Sequence, residues 1–343
     1  MTSDNIPSDD LAALERCRAA YRQLREALAE VIIGQSEVIE QVLLAVLARG
    51  HALLEGAPGL AKTLLLRSLA EAARLSFRRI HCTHDLLSSD VIGSEVIQED
   101  LETGRRRYQL SPGPLFANIV LAEQINRTPP KIQAVMLEGM QERQVAIGSQ
   151  VHTLPELFFV LATQNPFEED GTYPLPQAQL DRFLLSIKAS YPSSAEEWEM
   201  AHRVTTGKIG RITPLLSGED LLRMQELVLR APVSDRVLGY AWALVRATRP
   251  NSSESPEFVD KWMAWGAGPR GVLALVSCAK ARAIFHGRYQ ASVRDVQWIV
   301  KPALRHRIAG NYAAQANNLG SDQLIDMLLE AVAADRQYEK PLP

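Results

Sequence analysis

Residues 51–63, HALLEGAPGLAKT, constrain the fold of this chain more than any other stretch. A short apolar run, Ala52-Leu53-Leu54, enters a loop holding Gly56, Pro58 and Gly59. The chain leaves that loop through Lys62 and Thr63 into a helical pattern, Leu64-Leu65-Leu66-Arg67-Ser68-Leu69. The order is strand, loop, helix. Backbone N–H groups of such a loop can close round phosphate oxygens, and the helix N-terminus adds positive potential. Lys62 has the reach for outer phosphates, and Thr63 offers Mg²⁺ a hydroxyl. Ala57, Leu60 and Leu64 complete the candidate nucleotide-contacting stretch. The spacing from Gly56 to Lys62 fits a phosphate loop with one departure: Ala61 stands at the second glycine position. That substitution requires a helical φ at Ala61 and a methyl group clear of the phosphates. The competing reading is an ordinary strand-to-helix turn; the flanking strand and helix weigh against it.

At 343 residues the chain is long enough for two or three domains, and 46% hydrophobic residues supply a large core. A formal charge of −3 gives no global pull toward nucleic acid or an anionic membrane. Cys17, Cys82 and Cys278 are too far apart to suggest a disulfide framework, which favours a reducing compartment. The polar, acidic start, MTSDNIPSDD, has no apolar core of a signal peptide. The longest apolar stretch, residues 38–48, contains Glu40 and Gln41 and is too short for a bilayer. These features predict a soluble, cytoplasmic protein without membrane insertion.

Along the chain, Leu14, Cys17, Tyr21, Leu24 and Leu28 share one helical face, predicting an N-terminal docking helix within residues 1–30. Ser36 is a candidate N-cap for a helix stopping at Gly50. Ile33 and Gly34, just before it, admit two readings, an adenine pocket or an ordinary core connection. His81, Cys82, His84 and Asp85 form the one cluster resembling metal ligands. They crowd a single strand end, no second ligand pair follows, and alternation sends His81 and Cys82 to opposite faces. Residues 94–112 predict a hairpin turning at Glu102-Thr103-Gly104. Its Arg105-Arg106-Arg107 is either a solvated edge or a contact for an anionic partner.

The apolar run Ile119-Val120-Leu121-Ala122 ends in Glu123 and Gln124. In phosphate-loop ATPases a second strand ends in two acidic residues, one supporting Mg²⁺ and one orienting the attacking water. The position is right here and the chemistry is altered. A helix over 131–142, a hairpin about Gly148-Ser149 and another apolar strand, 157–163, follow. Asn165, beyond that strand, either touches a γ-phosphate or water, or begins the turn before Pro166. Arg182 is either a salt-bridge residue of a short helix or a cation aimed at a phosphate. Beyond residue 191 helices are readable near 194–205, 218–230, 233–248, 269–286, 292–308 and 321–335, which predicts an all-helical domain over 191–343.

Taken together, GAPGLAKT, SSDVIGSEV, GPLFANIVLAEQINRTPPKIQAVMLEGMQERQV, VLATQNPFEEDGTYPLPQAQLDRFL, GAGPRG and RHRI resemble, in order, the motifs of the MoxR family of AAA+ ATPases. The resemblance covers residues 30–310. It implies an α/β phosphate-loop NTPase core over 31–190, a parallel sheet flanked by helices, followed by a smaller helical lid. It makes Lys62 and Thr63 the Walker A pair, Glu123 and Gln124 the Walker B pair, and Asn165 sensor 1. It also makes Arg182 an arginine finger for a neighbouring subunit and Arg270 sensor 2, and it accounts for Ala61. Thr63 and Glu123 are the implied Mg²⁺ residues, with ATP as the nucleotide. The implied assembly is a ring, usually a hexamer, acting as a chaperone-like remodeller. Partners with von Willebrand factor A domains are implied as well, and the 94–112 hairpin corresponds to an insertion directed at the pore.

The chain departs from that pattern at Walker B, where the family has Asp-Glu and this sequence has Glu123-Gln124. A glutamine cannot take a proton near neutral pH, and losing a positioned base costs about 10²–10⁴ in rate. Two expectations follow: a remodelling ATPase with weakened hydrolysis, or an ATP-gated scaffold that does not cycle. No Asn-Lys-x-Asp motif supports a GTPase, and no basic domain or aromatic stacking module supports nucleic-acid binding.

Overall fold

The computed structural model describes residues 8–99, 106–165, 171–207 and 210–332. Helices α1 (Ser8–Val31) and α2 (Ser36–Leu47) precede strand β1 (Ala52–Glu55), and α3 (Lys62–Ala72) carries the chain to β2 (Phe77–His81). A short α4 (Ser88–Ile92) leads to the hairpin β3 (Gly93–Glu99) and β4 (Arg106–Pro112). Then come β5 (Ile119–Glu123), α5 (Pro130–Glu142), and a second hairpin, β6 (Gln144–Ile147) with β7 (Gln150–Thr153). Strand β8 (Phe159–Gln164), α6 (Gln177–Leu180) and β9 (Leu185–Lys188) complete the core. Beyond β9 come α7 (Ser194–Thr205), α8 (Gly218–Arg230), α9 (Asp235–Ala247), α10 (Glu257–Trp262), β10 (Met263–Trp265) and α11 (Pro269–Phe285). The described chain ends with α12 (Val293–Leu304), β11 (Ala309–Gly310), α13 (Tyr312–Ala316) and α14 (Ser321–Ala331).

Five strands lie in the order β2-β5-β8-β1-β9, and every neighbouring pair is parallel. Parallel strands need crossover helices and end up covered on both faces, which is why their sequences read as apolar runs. Alternate residues serve opposite faces. Leu54, Leu121 and Leu161 join the core under α1, α2 and α3, whereas Leu53, Val120 and Val160 join the one under α5 and the β6–β7 hairpin. The first of these cores continues unbroken into the helices beyond β9 through Leu227, Tyr240, Leu275 and Leu304. Helix α1 buries its expected face there, and Tyr21 stacks on Phe285 of α11 with ring centroids 3.8 Å apart.

Several local expectations are corrected. Gln35, not Ser36, caps α2, because Gly34 at φ +78° turns the chain one residue earlier; the Gln35 amide donates to the Ser190 carbonyl at 2.9 Å. That helix ends at Leu47, short of Gly50, whose N–H returns to the Ala45 carbonyl at 3.0 Å after Arg49 takes a left-handed φ. The helical lid also carries a ribbon, β10 antiparallel to β11, whose strands of three and two residues are too short to leave a periodic signal. The expected turn at Glu102-Thr103-Gly104 and Arg105 lie outside the described residues. The strands on either side pair from Gly93 with Pro112 to Glu99 with Arg106.

Candidate active site

Strands β1, β5 and β8 end on the same edge of the sheet, and their ends enclose a cleft of about 480 Å³. Gly56 and the stretch from Pro58 to Leu64 form one wall; Glu123, Gln124 and Asn165 form the other. This is the carboxyl edge of an open parallel sheet, where ligands bind. Thr63 Oγ1 donates to Glu123 Oε1 at 2.7 Å, so residues sixty positions apart meet at a strand end. Glu123 Oε2 accepts from Arg79 Nε at 2.7 Å, with Nη2 of the same guanidinium at 2.5 Å, and His81 Nδ1 lies 3.7 Å away. Both carboxylate oxygens are thereby engaged.

Lys62 Nζ donates to the Gly56 carbonyl at 2.6 Å. Burial lowers the Lys62 pKa from its ordinary value, against the opposing pull of the Glu123 charge. A half-buried ammonium resting on a carbonyl suits a site that receives an anion. The hydroxyl of Thr63 and the carboxylate of Glu123 are hard oxygen donors, the set that Mg²⁺ takes. The residues therefore fit both ATP and the ion.

Ala61 contradicts its expectation: it is left-handed, at φ 53° and ψ 22°, not helical. As the residue that caps α3 it lies half outside the helix, and the loop reverses there to aim the helix N-terminus at the cleft. An alanine in this conformation costs about 1–2 kcal/mol. Gln124 is also left-handed, at φ 58° and ψ 51°, with its N–H donating to Thr163 Oγ1 at 3.1 Å. That turn interrupts strand alternation, so Glu123 and Gln124 both line the cleft. Backbone strain of this kind collects at functional sites.

The family described as "ATPase family associated with various cellular activities (AAA)" matches residues 51–185, and the AAA lid domain matches 258–327. Chaperone MoxR1 of Mycobacterium tuberculosis is 38% identical over 327 residues, covering 93% of this chain and 84% of the relative. Protein MoxR of Paracoccus denitrificans is 32% identical, covering 92% and 95%. A crystal structure of a candidate ATPase from Cytophaga hutchinsonii superposes with a TM-score of 0.86 at 35% identity, covering 94% and 97%. The chain belongs to the MoxR family of AAA+ ATPases.

Not every residue singled out in the sequence lines this cleft. Ala57 is buried beneath the loop. Ile33 and Gly34 lie outside the lining, and a Cβ on Gly34 would sit 3.0 Å from Pro192 and Glu196. Arg182, half-buried after α6, and Arg270, at the start of α11, are also outside it; Arg270 Nη1 instead lies 3.5 Å from Asp181 Oδ2. His81 faces the cleft while Cys82 is buried, its thiol pushed up to about 11 by burial; no group of metal-ligating side chains stands together among the described residues. Four participants were not anticipated as such: Arg79, His81, Thr163 and Gln164, whose amide donates to Glu55 Oε1 at 2.9 Å. Strand order holds the clue to Arg79 and His81, because β2 pairs with β5 so that His81 stands opposite Glu123. Among the described residues, no helix is long and apolar enough to cross a membrane.

Proposed function

We propose that this MoxR-family chain is an Mg-ATP-binding, ring-forming, chaperone-like remodeller of protein partners, with hydrolysis weakened by Glu123-Gln124. The observation that carries the reading is the convergence of Lys62, Thr63, Glu123 and Gln124 on one cleft. Backbone from Gly56 to Ala61 cradles the phosphates, Lys62 neutralises the outer ones, and Thr63 with Glu123 holds the ion. Mg²⁺, when bound, offsets phosphate charge. Asn165 contacts the γ-phosphate or water. Arg182, which has no side-chain partner among the described residues and lies outside its own cleft, serves a neighbour's nucleotide. Arg270 senses nucleotide from the lid, and Ile33 with Gly34 borders the adenine. The ring is a hexamer in the cytoplasm, its hairpin faces the pore, and a von Willebrand factor A domain protein is its partner, without nucleic acid.

A second reading, an ATP-gated scaffold that does not cycle, is favoured by a specific feature of the cleft. Gln124 cannot accept a proton, and Glu123 is tied by Thr63 and Arg79, so it is not free to turn toward a water in its place. Steady-state ATP hydrolysis at ring-forming concentration distinguishes the two readings. Gln124→Glu is expected to raise turnover by about 10²–10⁴, with Lys62→Ala as the background. Wild-type turnover well above that background supports the remodeller; none, with activity appearing in Gln124→Glu, supports the scaffold.

A further inference from the structure

The stretch Arg305-His306-Arg307-Ile308 has no role in the reading above. It follows α12 and meets the segment that carries Arg182. Arg307, only 3% exposed, donates Nε to Asp181 Oδ1 at 2.8 Å, Nη1 to the Leu184 carbonyl at 3.1 Å and Nη2 to the Phe183 carbonyl at 2.6 Å. Buried His306 pairs Nε2 with that same Phe183 carbonyl at 3.0 Å, and Arg305 Nη1 donates to the Ser186 carbonyl at 3.1 Å. Three successive lid residues therefore hold the backbone after Arg182 and the side chain just before it. The Arg182 guanidinium is left unheld among the described residues.

Apolar packing would join these elements more cheaply. Taking a guanidinium out of water costs several kcal/mol unless every donor is matched, and what the planar fork supplies in return is fixed geometry. Fixed geometry matters most for the residue between the held groups, because a displacement of about 1 Å at a reacting centre can cost about 10²-fold in rate. The Asp181 carboxylate also lies between two lid cations, Arg307 on Oδ1 and Arg270 near Oδ2. We propose that Arg307, acting through Asp181 and the Phe183 and Leu184 carbonyls, is a positioning residue for Arg182, so that the posture of the lid sets where the finger lands on a neighbour's nucleotide. The proposal rests on the trans role of Arg182 given above.

The test uses full-length chains carrying Gln124→Glu, with Arg307→Lys, Asp181→Asn or Arg182→Ala added. Uniform rings of Arg307→Lys are expected to lose about 100-fold in turnover, while the affinity of dilute subunits for a fluorescent ATP analogue stays within about twofold. Each variant is then mixed with excess wild-type chain, whose own turnover is measured alone and subtracted. Wild-type neighbours donate intact fingers to the variants' intact pockets, so turnover per variant subunit should recover at least about tenfold for all three. Recovery of Arg182→Ala without recovery of Arg307→Lys or Asp181→Asn places the defect in their own pockets and overturns the positioning role. Failure of Arg182→Ala itself to recover removes the trans finger and the proposal with it. Should Arg307→Lys unfold, as circular dichroism would reveal, Asp181→Asn at the half-buried partner gives the same readout.

Discussion

In the candidate nucleotide cleft, one wall is supplied by a nearly continuous stretch between Gly56 and Leu64, whereas at the junction of lid and core the partners Arg307 and Asp181 are 126 residues apart. The cleft keeps its cation half-buried, with one carbonyl for a partner; the junction buries a guanidinium and matches it with a carboxylate and several carbonyls. Polar groups left lightly tied are available to a ligand, and polar groups fully tied are committed to the fold. The largest expected contrast is therefore in stability. Arg307→Ala, which leaves Asp181 with Arg270 alone and strips a buried donor from the Phe183 and Leu184 carbonyls, should cost about 3–5 kcal/mol, whereas Lys62→Ala should change stability by no more than about 1 kcal/mol. Urea denaturation of the two variants checks this; a Lys62→Ala loss equal to that of Arg307→Ala would mean the cleft is structural as well.

The sheet that carries the cleft and the junction each hold a buried neutral histidine, and pH compares them more finely. At the amino end of β1, the end away from the cleft, His51 Nδ1 accepts from the Val160 N–H at 3.0 Å while Nε2 lies 2.9 Å from the Met140 carbonyl, and burial lowers its pKa to about 4. His306 at the junction is held well below its ordinary value by burial, with Arg307 adding to the shift. Unfolded histidines take up protons near pH 6.5, and these two stay neutral in the fold. Stability is thus complete above pH 6.5 and falls as pH drops toward 4, by at most about 1.4 kcal/mol per pH unit for each ring. His306→Asn should halve their joint contribution to the slope in urea melts between pH 6.5 and 5; an unchanged slope would show that His306 is already charged in the folded protein.

How much was legible follows the same division. The strand-loop-helix around Lys62 and the helical face of α1 are local patterns, and the folded chain builds both as their spacing implies; the left-handed turn at Gln124, which brings its side chain into the cleft beside Glu123, departs from the alternation of a strand end. The conformation of Ala61 was not legible, because a single φ at a helix entrance depends on how the loop closes over it. Arg79 was missed because its partner lies on a neighbouring strand, and strand order is not written in either segment. The RHRI stretch was visible as a motif, yet the segment from Asp181 to Ser186 that it holds lies more than a hundred residues away, so nothing near it in the sequence indicated that contact.

Arg79 borders the cleft through Glu123 and ties a side chain there as the junction does, and it yields the smallest expected effect. Its guanidinium touches the Glu123 carboxylate that the proposed site offers to Mg²⁺, so the two cations compete for one negative charge. Arg79 is half-exposed, and water screens that competition to about 1 kcal/mol or less. Arg79→Ala should therefore lower the Mg²⁺ concentration for half-maximal binding of a fluorescent ATP analogue by about two- to fivefold. A higher requirement would instead mean that Arg79 holds the longer Glu123 side chain in reach of Thr63. Geometry would then outweigh charge in the cleft, the same use of an arginine that we propose at the junction.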